Sequence, residues 1–213
     1  EQFRHFEEAV QNHEGYLPVD LVRHVAASAG MLRDRRYHLE MVRPGLSMLG
    51  YGWEMLAPGP SVAEAPRLEH AVRWMSQVIH VQRYPRWANV GYGATCSLKR
   101  DSVLGVVPVG YGDGYPLSLS NTGTVRVIPH DERLGVLYAK VLGRVNMDQI
   151  VIDLTELAVE DLSKLLGAPV ELIASDSDAE NALPKLAAAA GSSCYEMLCR
   201  IAPHVPRRYI NAH

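Results

Sequence analysis

Hydrophobic and polar positions follow helical and strand-like patterns within the first 50 residues. Apolar side chains recur at helical spacing within residues 1–13, which predicts an amphipathic helix. The apolar runs at 21–26 and 38–42 predict two short buried strands. Ser28 stands where it could cap a helix between those strands. The order helix, strand, helix, strand is typical of a parallel α/β fold.

The pattern changes after residue 52. Prolines and a glycine between residues 58 and 66 mark a linker or loop. Strand-like runs then follow at 71–82, 102–110, 124–128, 136–145, 149–154, 170–174 and 208–210. Residues 159–167 and 182–190 have the pattern of short helices. The sequence therefore predicts an α/β unit at 1–52 and a mainly-β domain at 53–213.

The first unit is too short to form a closed barrel. Residues 1–52 supply about two βα units, whereas a closed eight-unit barrel takes roughly 250 residues. An open remnant exposes apolar strand faces, which favour association. The chain also begins with Glu1 and not with methionine. We therefore expect that it begins inside a longer polypeptide.

Composition and charge argue against several classes of protein. The chain is 47% hydrophobic and 21% charged, as in ordinary globular proteins. The net charge of -3 and the absence of a basic stripe argue against a nucleic-acid partner. Apolar runs fall far short of the ~20 residues of a membrane helix, and no signal peptide opens the chain. Three cysteines without paired spacing predict no disulfide and no metal site, which favours the reducing cytoplasm.

Three glycine-containing segments could carry chemistry. VGYGATC at 90–96 places Tyr92 between two glycines, either packed in a β-turn or lifted into a cleft. VGYGDGYP at 109–116 ends an apolar run with an Asp-Gly pair, either as a tight turn or as a phosphate loop. GRVNMDQ at 143–149 places polar groups between two strands, which fits a surface loop or a site loop.

Ser28 and Gly45 are candidates for binding an anion. A residue at a helix start lies beside free N–H groups and a favourable dipole. Gly45 follows the second predicted strand, within Arg43-Pro44-Gly45, and could direct N–H groups to the same anion. Each position taken alone also fits an ordinary cap or turn.

Taken together and in order, these segments resemble the alanine racemases. The shared segments are a small-residue run ending in Ser28-Ala29, VRPG at 42–45, VGYG at 90–93, VGYGDGYP at 109–116, GRVNMDQ at 143–149, CYE at 194–196 and VPRRY at 205–209. Their order and separations agree with the family from about residue 20 to the end. The chain departs from the usual pattern at Ala27, Leu49 and Asn146, where the family commonly has asparagine, an aromatic residue, and serine or cysteine.

The resemblance implies a fold, an activity and a partner. The fold would be an α/β remnant of a (β/α)8 barrel followed by a mainly-β C-terminal domain. The activity would be interconversion of L- and D-alanine with pyridoxal 5'-phosphate, which supplies D-alanine for peptidoglycan. The partner would be a second copy, because the family forms a head-to-tail homodimer in which one chain's β domain completes the other's active site.

The resemblance also implies roles for individual residues. Tyr92 would be the catalytic base on one face of the substrate, with a cofactor lysine on the other. Arg43 would face the pyridine nitrogen of the cofactor. The cofactor-binding set is Ser28, Arg43, Gly45, Leu46 and Tyr195. The substrate-binding set is Tyr111, Met147 and Asp148.

The family's cofactor lysine has no counterpart here. None of Lys99, Lys140, Lys164 and Lys185 lies in such a motif, so we expect the isolated chain to be inactive. A racemase of serine or of several amino acids remains an alternative. A non-catalytic binding or assembly domain is an alternative of another class, against which the retention of Tyr92, Arg43 and Asp148 argues.

Overall fold

The structure, a computed structural model, describes residues 1–52, 68–157 and 159–210. The chain divides into two compact units, Glu1–Ala71 and Val72–His213. The predicted linker residues between 58 and 66 lie outside the described residues. The domain boundary at residue 52 therefore stays a prediction.

The described residues of the first unit contain two α-helices, α1 (Gln2–Asn12) and α2 (Ser28–Arg33). The predicted amphipathic helix at 1–13 is confirmed by α1. The predicted strands at 21–26 and 38–42 are wrong, and a single parallel bridge between Ala27 and Arg43 stands in their place. Parallel strands need neighbours in a sheet to form a stable ladder, and two short segments alone do not supply them.

The second unit is built on a seven-stranded antiparallel sheet with strand order β1-β9-β6-β7-β8-β5-β2, while β3 and β4 form a separate hairpin. The strands are β1 (Trp74–Gln77), β2 (His80–Tyr84), β3 (Asn89–Val90), β4 (Cys96–Ser97), β5 (Ser102–Val107), β6 (Thr124–Val127), β7 (Leu137–Leu142), β8 (Ile150–Asp153) and β9 (Pro169–Ile173). Two helices follow, α3 (Leu183–Ala189) and α4 (Cys194–Arg200). The predicted mainly-β domain is confirmed.

Three details of this unit differ from the sequence prediction. Residues 159–167 contain a 3₁₀ turn at Leu162–Leu165 and no α-helix among the residues that are described there. Residues 208–210 are exposed and form no strand, because no neighbouring strand pairs with them. The helix α4 was not predicted, since its sequence CYEMLCR has no clear apolar periodicity.

The strands of the seven-stranded sheet carry buried side chains, which support the loops that connect them. Side chains of its central strands are fully buried, among them Val107, Val125, Val141, Ile152 and Leu172. Each such side chain contributes about 1.5–3 kcal/mol of hydrophobic stabilisation. The loops after β5 and β7 begin at these strands, so their starting points are held in place.

Two further observations concern the described residues as a whole. No helix among them is long and apolar enough to cross a membrane. In this part of the chain, Cys96, Cys194 and Cys199 form no disulfide bond.

Candidate functional site

Four residues that the resemblance implies for catalysis and substrate binding line one cavity of about 720 Å³ in the second unit. They are Tyr92, Tyr111, Met147 and Asp148. Three separate loops supply them, after β3, β5 and β7. The cavity is also lined by Leu117, Arg144 and Asn146, whose roles could not be assigned from the sequence.

Tyr92 projects from the turn between β3 and β4. Gly91 and Gly93 on either side have left-handed φ values of 71° and 74°, which glycine adopts without strain. The Tyr92 side chain is 73% exposed, so the interpretation as a packed tyrosine in a turn is wrong. The turn instead presents the phenol to the cavity.

The base of this turn is anchored in apolar contacts. Val90, the residue before Gly91, belongs to a buried cluster with Leu98 and Leu104. A side chain on Gly91 would begin 3.2 Å from the backbone nitrogen of Arg144, so the turn passes close to the loop after β7. Tyr92 and Arg144 therefore reach the same cavity from adjoining backbones.

The loop carrying Tyr111 is joined to the loop after β7 by backbone hydrogen bonds. The Tyr111 N–H donates to the carbonyl oxygen of Asn146 at 2.9 Å, and the Gly112 N–H donates to that of Met147 at 2.8 Å. A side chain on Gly110 would begin 2.2 Å from the Asn146 carbonyl oxygen. Glycine at position 110 is therefore required for this close approach.

Asp113 joins the same loop to the segment after α4. One carboxylate oxygen accepts from the Gly110 N–H at 2.8 Å, and the other lies 2.8 Å from His204 Nε2. The Asp113 carbonyl oxygen accepts from the Ala202 N–H at 2.9 Å. The interpretation of 109–116 as a tight strand-ending turn is thus confirmed.

The charges in the cavity suit a small zwitterion. Arg144 contributes a guanidinium, which stays positive in proteins, and Asp148 contributes a carboxylate. The phenols of Tyr92 and Tyr111 add groups that both donate and accept hydrogen bonds. An amino acid carries one carboxylate and one ammonium group, so both of its charges find an opposite charge among these side chains.

The first unit forms a compact cluster of hydrogen-bonding groups at Ser28. The Ser28 Oγ accepts from the N–H groups of Gly45 at 3.1 Å and Ser47 at 3.2 Å, and the Ser47 hydroxyl lies 3.1 Å away. Ser28 was predicted to cap α2, but it is the first helical residue, because Ala27 occupies the cap position without a side-chain bond. Its hydroxyl is engaged by residues 45 and 47 instead.

This cluster contains the kinds of group that bind a phosphate, two backbone N–H groups and two hydroxyls. The N–H groups and the Ser47 hydroxyl all donate to the buried Ser28 oxygen, so a phosphate bound there would replace these internal hydrogen bonds. A side chain on Gly45 would meet no atom within 4 Å, so the space beside this glycine is open. Leu46 is buried and ties the loop into the unit. Ser47 was not singled out from the sequence, although a hydroxyl two residues after the RPG segment was a usable signal.

Arg43 is held by His24. Its Nη1 donates to the carbonyl oxygen of His24 at 3.2 Å and also contacts His24 Nδ1. Its own N–H donates to the carbonyl oxygen of Ala26 at 2.9 Å. His24 was missed from the sequence because it falls within a predicted strand, although a histidine inside an apolar run was a signal.

Tyr195 lies in the first turn of α4, with its side chain 41% exposed. Ser193 caps this helix, since its hydroxyl accepts from the Glu196 N–H at 3.2 Å. The cap fixes where the helix begins and hence the direction in which Tyr195 leaves it. The cofactor-binding role of Tyr195 stays a prediction.

Comparison with known proteins agrees across both units. Residues 71–209 match the family described as alanine racemase, C-terminal domain, and residues 1–52 match alanine racemase, N-terminal domain. The alanine racemase of Halothermothrix orenii is 33% identical over 196 residues, which are 92% of this chain and 48% of that protein.

Solved structures are also similar. The alanine racemase of D-cycloserine-producing Streptomyces lavendulae aligns with a TM-score of 0.80 at 28% identity, over 100% of this chain and 52% of its own. That of Bartonella henselae, with covalently bound pyridoxal phosphate, aligns with a TM-score of 0.75 at 26% identity, over 95% and 50%. The chain thus spans about half the length of the relatives that it matches.

Proposed function

The chain belongs to the alanine racemase family, and on that premise we propose that the polypeptide containing it interconverts L- and D-alanine with pyridoxal 5'-phosphate. One observation carries the proposal. Tyr92, Tyr111, Met147 and Asp148, which the family resemblance implies for catalysis and substrate binding, line one cavity together with Arg144. A role in supplying D-alanine for peptidoglycan, in the cytoplasm, follows from the same premise.

The cofactor-binding part of the proposal rests on the first unit. Ser28, Gly45 and Ser47 would hold the phosphate, since their polar groups converge at one point. Arg43 would donate to the pyridine nitrogen, held in direction by His24. When bound, the cofactor withdraws electrons from the substrate's α-carbon and so makes its proton removable.

The proton-transfer part rests on Tyr92. Its phenol oxygen would remove the α-proton from one enantiomer and return a proton when the other is the substrate. The Arg144 guanidinium in the same cavity would stabilise negative charge on a phenol oxygen. Tyr111 and the Met147 backbone would lie at the substrate carboxylate, with Asp148 beside them.

Two chains would share each active site. We infer a homodimer in which Tyr92 of one chain serves the cofactor held by Ser28 and Arg43 of its partner. The inference comes from the family resemblance, and the exposed position of Tyr92 supports it, because a base used within its own fold would be more enclosed. Sedimentation of the complete polypeptide with cofactor should give the mass of a dimer.

A direct assay tests the proposal. The complete polypeptide, loaded with pyridoxal 5'-phosphate, should convert L-alanine to D-alanine and the reverse. Conversion of L-serine at a similar or higher rate would favour the alternative of a serine or broad-spectrum racemase. Cofactor-loaded protein that racemises no amino acid would overturn the proposal and favour a binding or assembly domain.

A further inference from the structure

Asn121 connects two of the loops that line the cavity. Its Nδ2 donates to the Thr95 hydroxyl at 3.2 Å, and its Oδ1 accepts from the Gly143 N–H at 2.7 Å. Thr95 ends the turn that carries Tyr92, and Gly143 begins the loop that carries Arg144. The Asn121 amide therefore links the turn that carries Tyr92, the proposed base, to the loop that carries Arg144.

The Tyr92 turn depends on restraint from outside. Residues 91–95 are all exposed, and the hairpin below them has only the two strand pairs Asn89–Ser97 and Val90–Cys96. Ala94 adopts a left-handed φ of 47°, a conformation that disfavours residues with a side chain. An exposed turn with unfavourable backbone geometry is mobile unless other contacts hold it.

Asn121 is suited to this task. It adopts a left-handed φ of 61°, which asparagine tolerates better than most residues. Its amide both donates and accepts, so a single side chain can satisfy a hydroxyl on one loop and a backbone N–H on the other. The neighbouring Ser120 strengthens the junction, since its hydroxyl accepts from the Val145 N–H at 3.0 Å.

We propose that Asn121 is a positioning residue that sets where the Tyr92 phenol stands relative to Arg144 and the substrate. The proposal rests on the proposed racemase function. It assigns Asn121 no contact with the substrate. Its effect is transmitted through Thr95 on one side and Gly143 on the other.

Two substitutions test the connection from opposite ends. Asn121→Gly removes both contacts of the amide and tolerates the left-handed φ, and Thr95→Val removes the hydroxyl with little change in shape. In the complete cofactor-loaded enzyme each should lower kcat about tenfold to a hundredfold, the usual cost of a misplaced catalytic group. The kcat of the double variant should be no lower than that of the more impaired single variant. The reason is that both substitutions remove the same Asn121–Thr95 hydrogen bond.

An isotope effect separates positioning from a general structural defect. Tyr92 removes the α-proton from only one enantiomer, so its displacement slows that transfer in particular. The α-deuterium isotope effect on kcat/KM should rise for that enantiomer and not for the other in both single variants. Thr122→Val, which removes a nearby exposed hydroxyl bonded to the Ser118 carbonyl, should leave kcat and both isotope effects unchanged.

The outcomes are distinguishable. An inactive wild-type enzyme would refute the proposed function itself. An active wild type with unchanged kcat and isotope effects in Thr95→Val would overturn the role of Asn121. Loss of cofactor binding would also overturn it, and so would equal changes in the isotope effect for both enantiomers. Either result would indicate a purely structural role. Thr95→Val leaves the Gly143 contact intact, so it decides the matter even if Asn121→Gly fails to fold.

Discussion

Arg43 donates from Nη1 to the carbonyl oxygen of His24 at 3.2 Å, and the same nitrogen contacts the Nδ1 of that histidine. A guanidinium has only donors, so Arg43 is the donor in both contacts. The histidine therefore acts as an acceptor that fixes the direction of a permanent positive charge. In the proposed enzyme, that charge would face the cofactor's pyridine nitrogen.

Replacing His24 with leucine should lower the rate of alanine racemisation about tenfold, because the guanidinium loses a hydrogen bond of about 1.5 kcal/mol and with it its direction. Cofactor affinity should change little, since the groups proposed to bind the phosphate at Ser28, Gly45 and Ser47 remain. Racemisation rates and a cofactor titration followed by absorbance measure the two effects. His24→Asn keeps an acceptor and should restore part of the rate. Full activity in His24→Leu would contradict this account of Arg43.

Replacing Ser28 with alanine should weaken cofactor binding. The serine hydroxyl lies where two backbone N–H groups and the Ser47 hydroxyl converge. Loss of one hydrogen bond to a charged phosphate costs about 1.5–3 kcal/mol, or roughly a 10- to 150-fold rise in Kd. Titration of the apoenzyme with pyridoxal 5'-phosphate measures it, with Ser118→Ala as an exposed control. An unchanged Kd would place the phosphate elsewhere.

Replacing Tyr92 with phenylalanine should slow proton removal from one enantiomer by about 10²–10⁴-fold, the usual contribution of a general base. The ring stays in place and only the phenol oxygen is lost, so cofactor binding should be nearly unchanged. Exchange of the α-proton with deuterated solvent, measured separately for L- and D-alanine, tests the asymmetry. Equal slowing of exchange from both enantiomers would argue against a base that acts on one face.

How well the sequence predicts a strand depends on whether the strand is stabilised within its own domain or needs neighbouring strands that the domain does not contain. The main strands of the second unit were predictable because their alternation and apolar runs reflect burial within one domain. The two predicted strands of the first unit do not form, because a parallel ladder depends on neighbours that its own sequence does not contain. Residues 208–210 have strand-like composition, but they also form no strand, because no described strand pairs with them.

The candidate site was predictable in part. The glycine-rich segments and the family resemblance singled out Tyr92, Tyr111, Met147 and Asp148, which line one cavity in the structure, while their roles stay predictions. Asn121 and His24 act through hydrogen bonds to residues 19 to 26 positions away, as in Asn121 to Thr95 and His24 to Arg43. Such contacts leave no periodic pattern in the sequence, so only the folded chain reveals them.

Replacing Gly110 with alanine should destabilise the second unit. The new Cβ would stand 2.2 Å from the carbonyl oxygen of Asn146, which is backbone and cannot rotate away as a side chain can. We expect the free energy of unfolding to fall by about 1–3 kcal/mol, the usual cost of overpacking. Denaturant titration measures it. Gly15→Ala, with no atom within 4 Å of its Cβ position, is the matched control and should change stability by less than about 0.5 kcal/mol.

The 213-residue chain by itself should show no racemase activity and no covalent attachment of the cofactor. All four lysines, Lys99, Lys140, Lys164 and Lys185, belong to the second unit, whereas the proposed phosphate-binding groups at Ser28 belong to the first. Two of the four are already engaged, Lys140 with the Thr124 hydroxyl at 2.7 Å and Lys185 with the Asp178 carbonyl oxygen at 2.5 Å.

The experiment adds pyridoxal 5'-phosphate to the purified chain, reduces the mixture with borohydride and maps any labelled lysine by mass spectrometry. We expect no stoichiometric label, together with weak binding that phosphate competes away, because this chain contains the groups proposed to bind the cofactor phosphate. The complete polypeptide, treated in parallel, should be labelled at a single lysine outside these four. Stoichiometric labelling of Lys99, Lys140, Lys164 or Lys185, accompanied by turnover of alanine, would show that this chain carries a complete active site and would overturn the assignment.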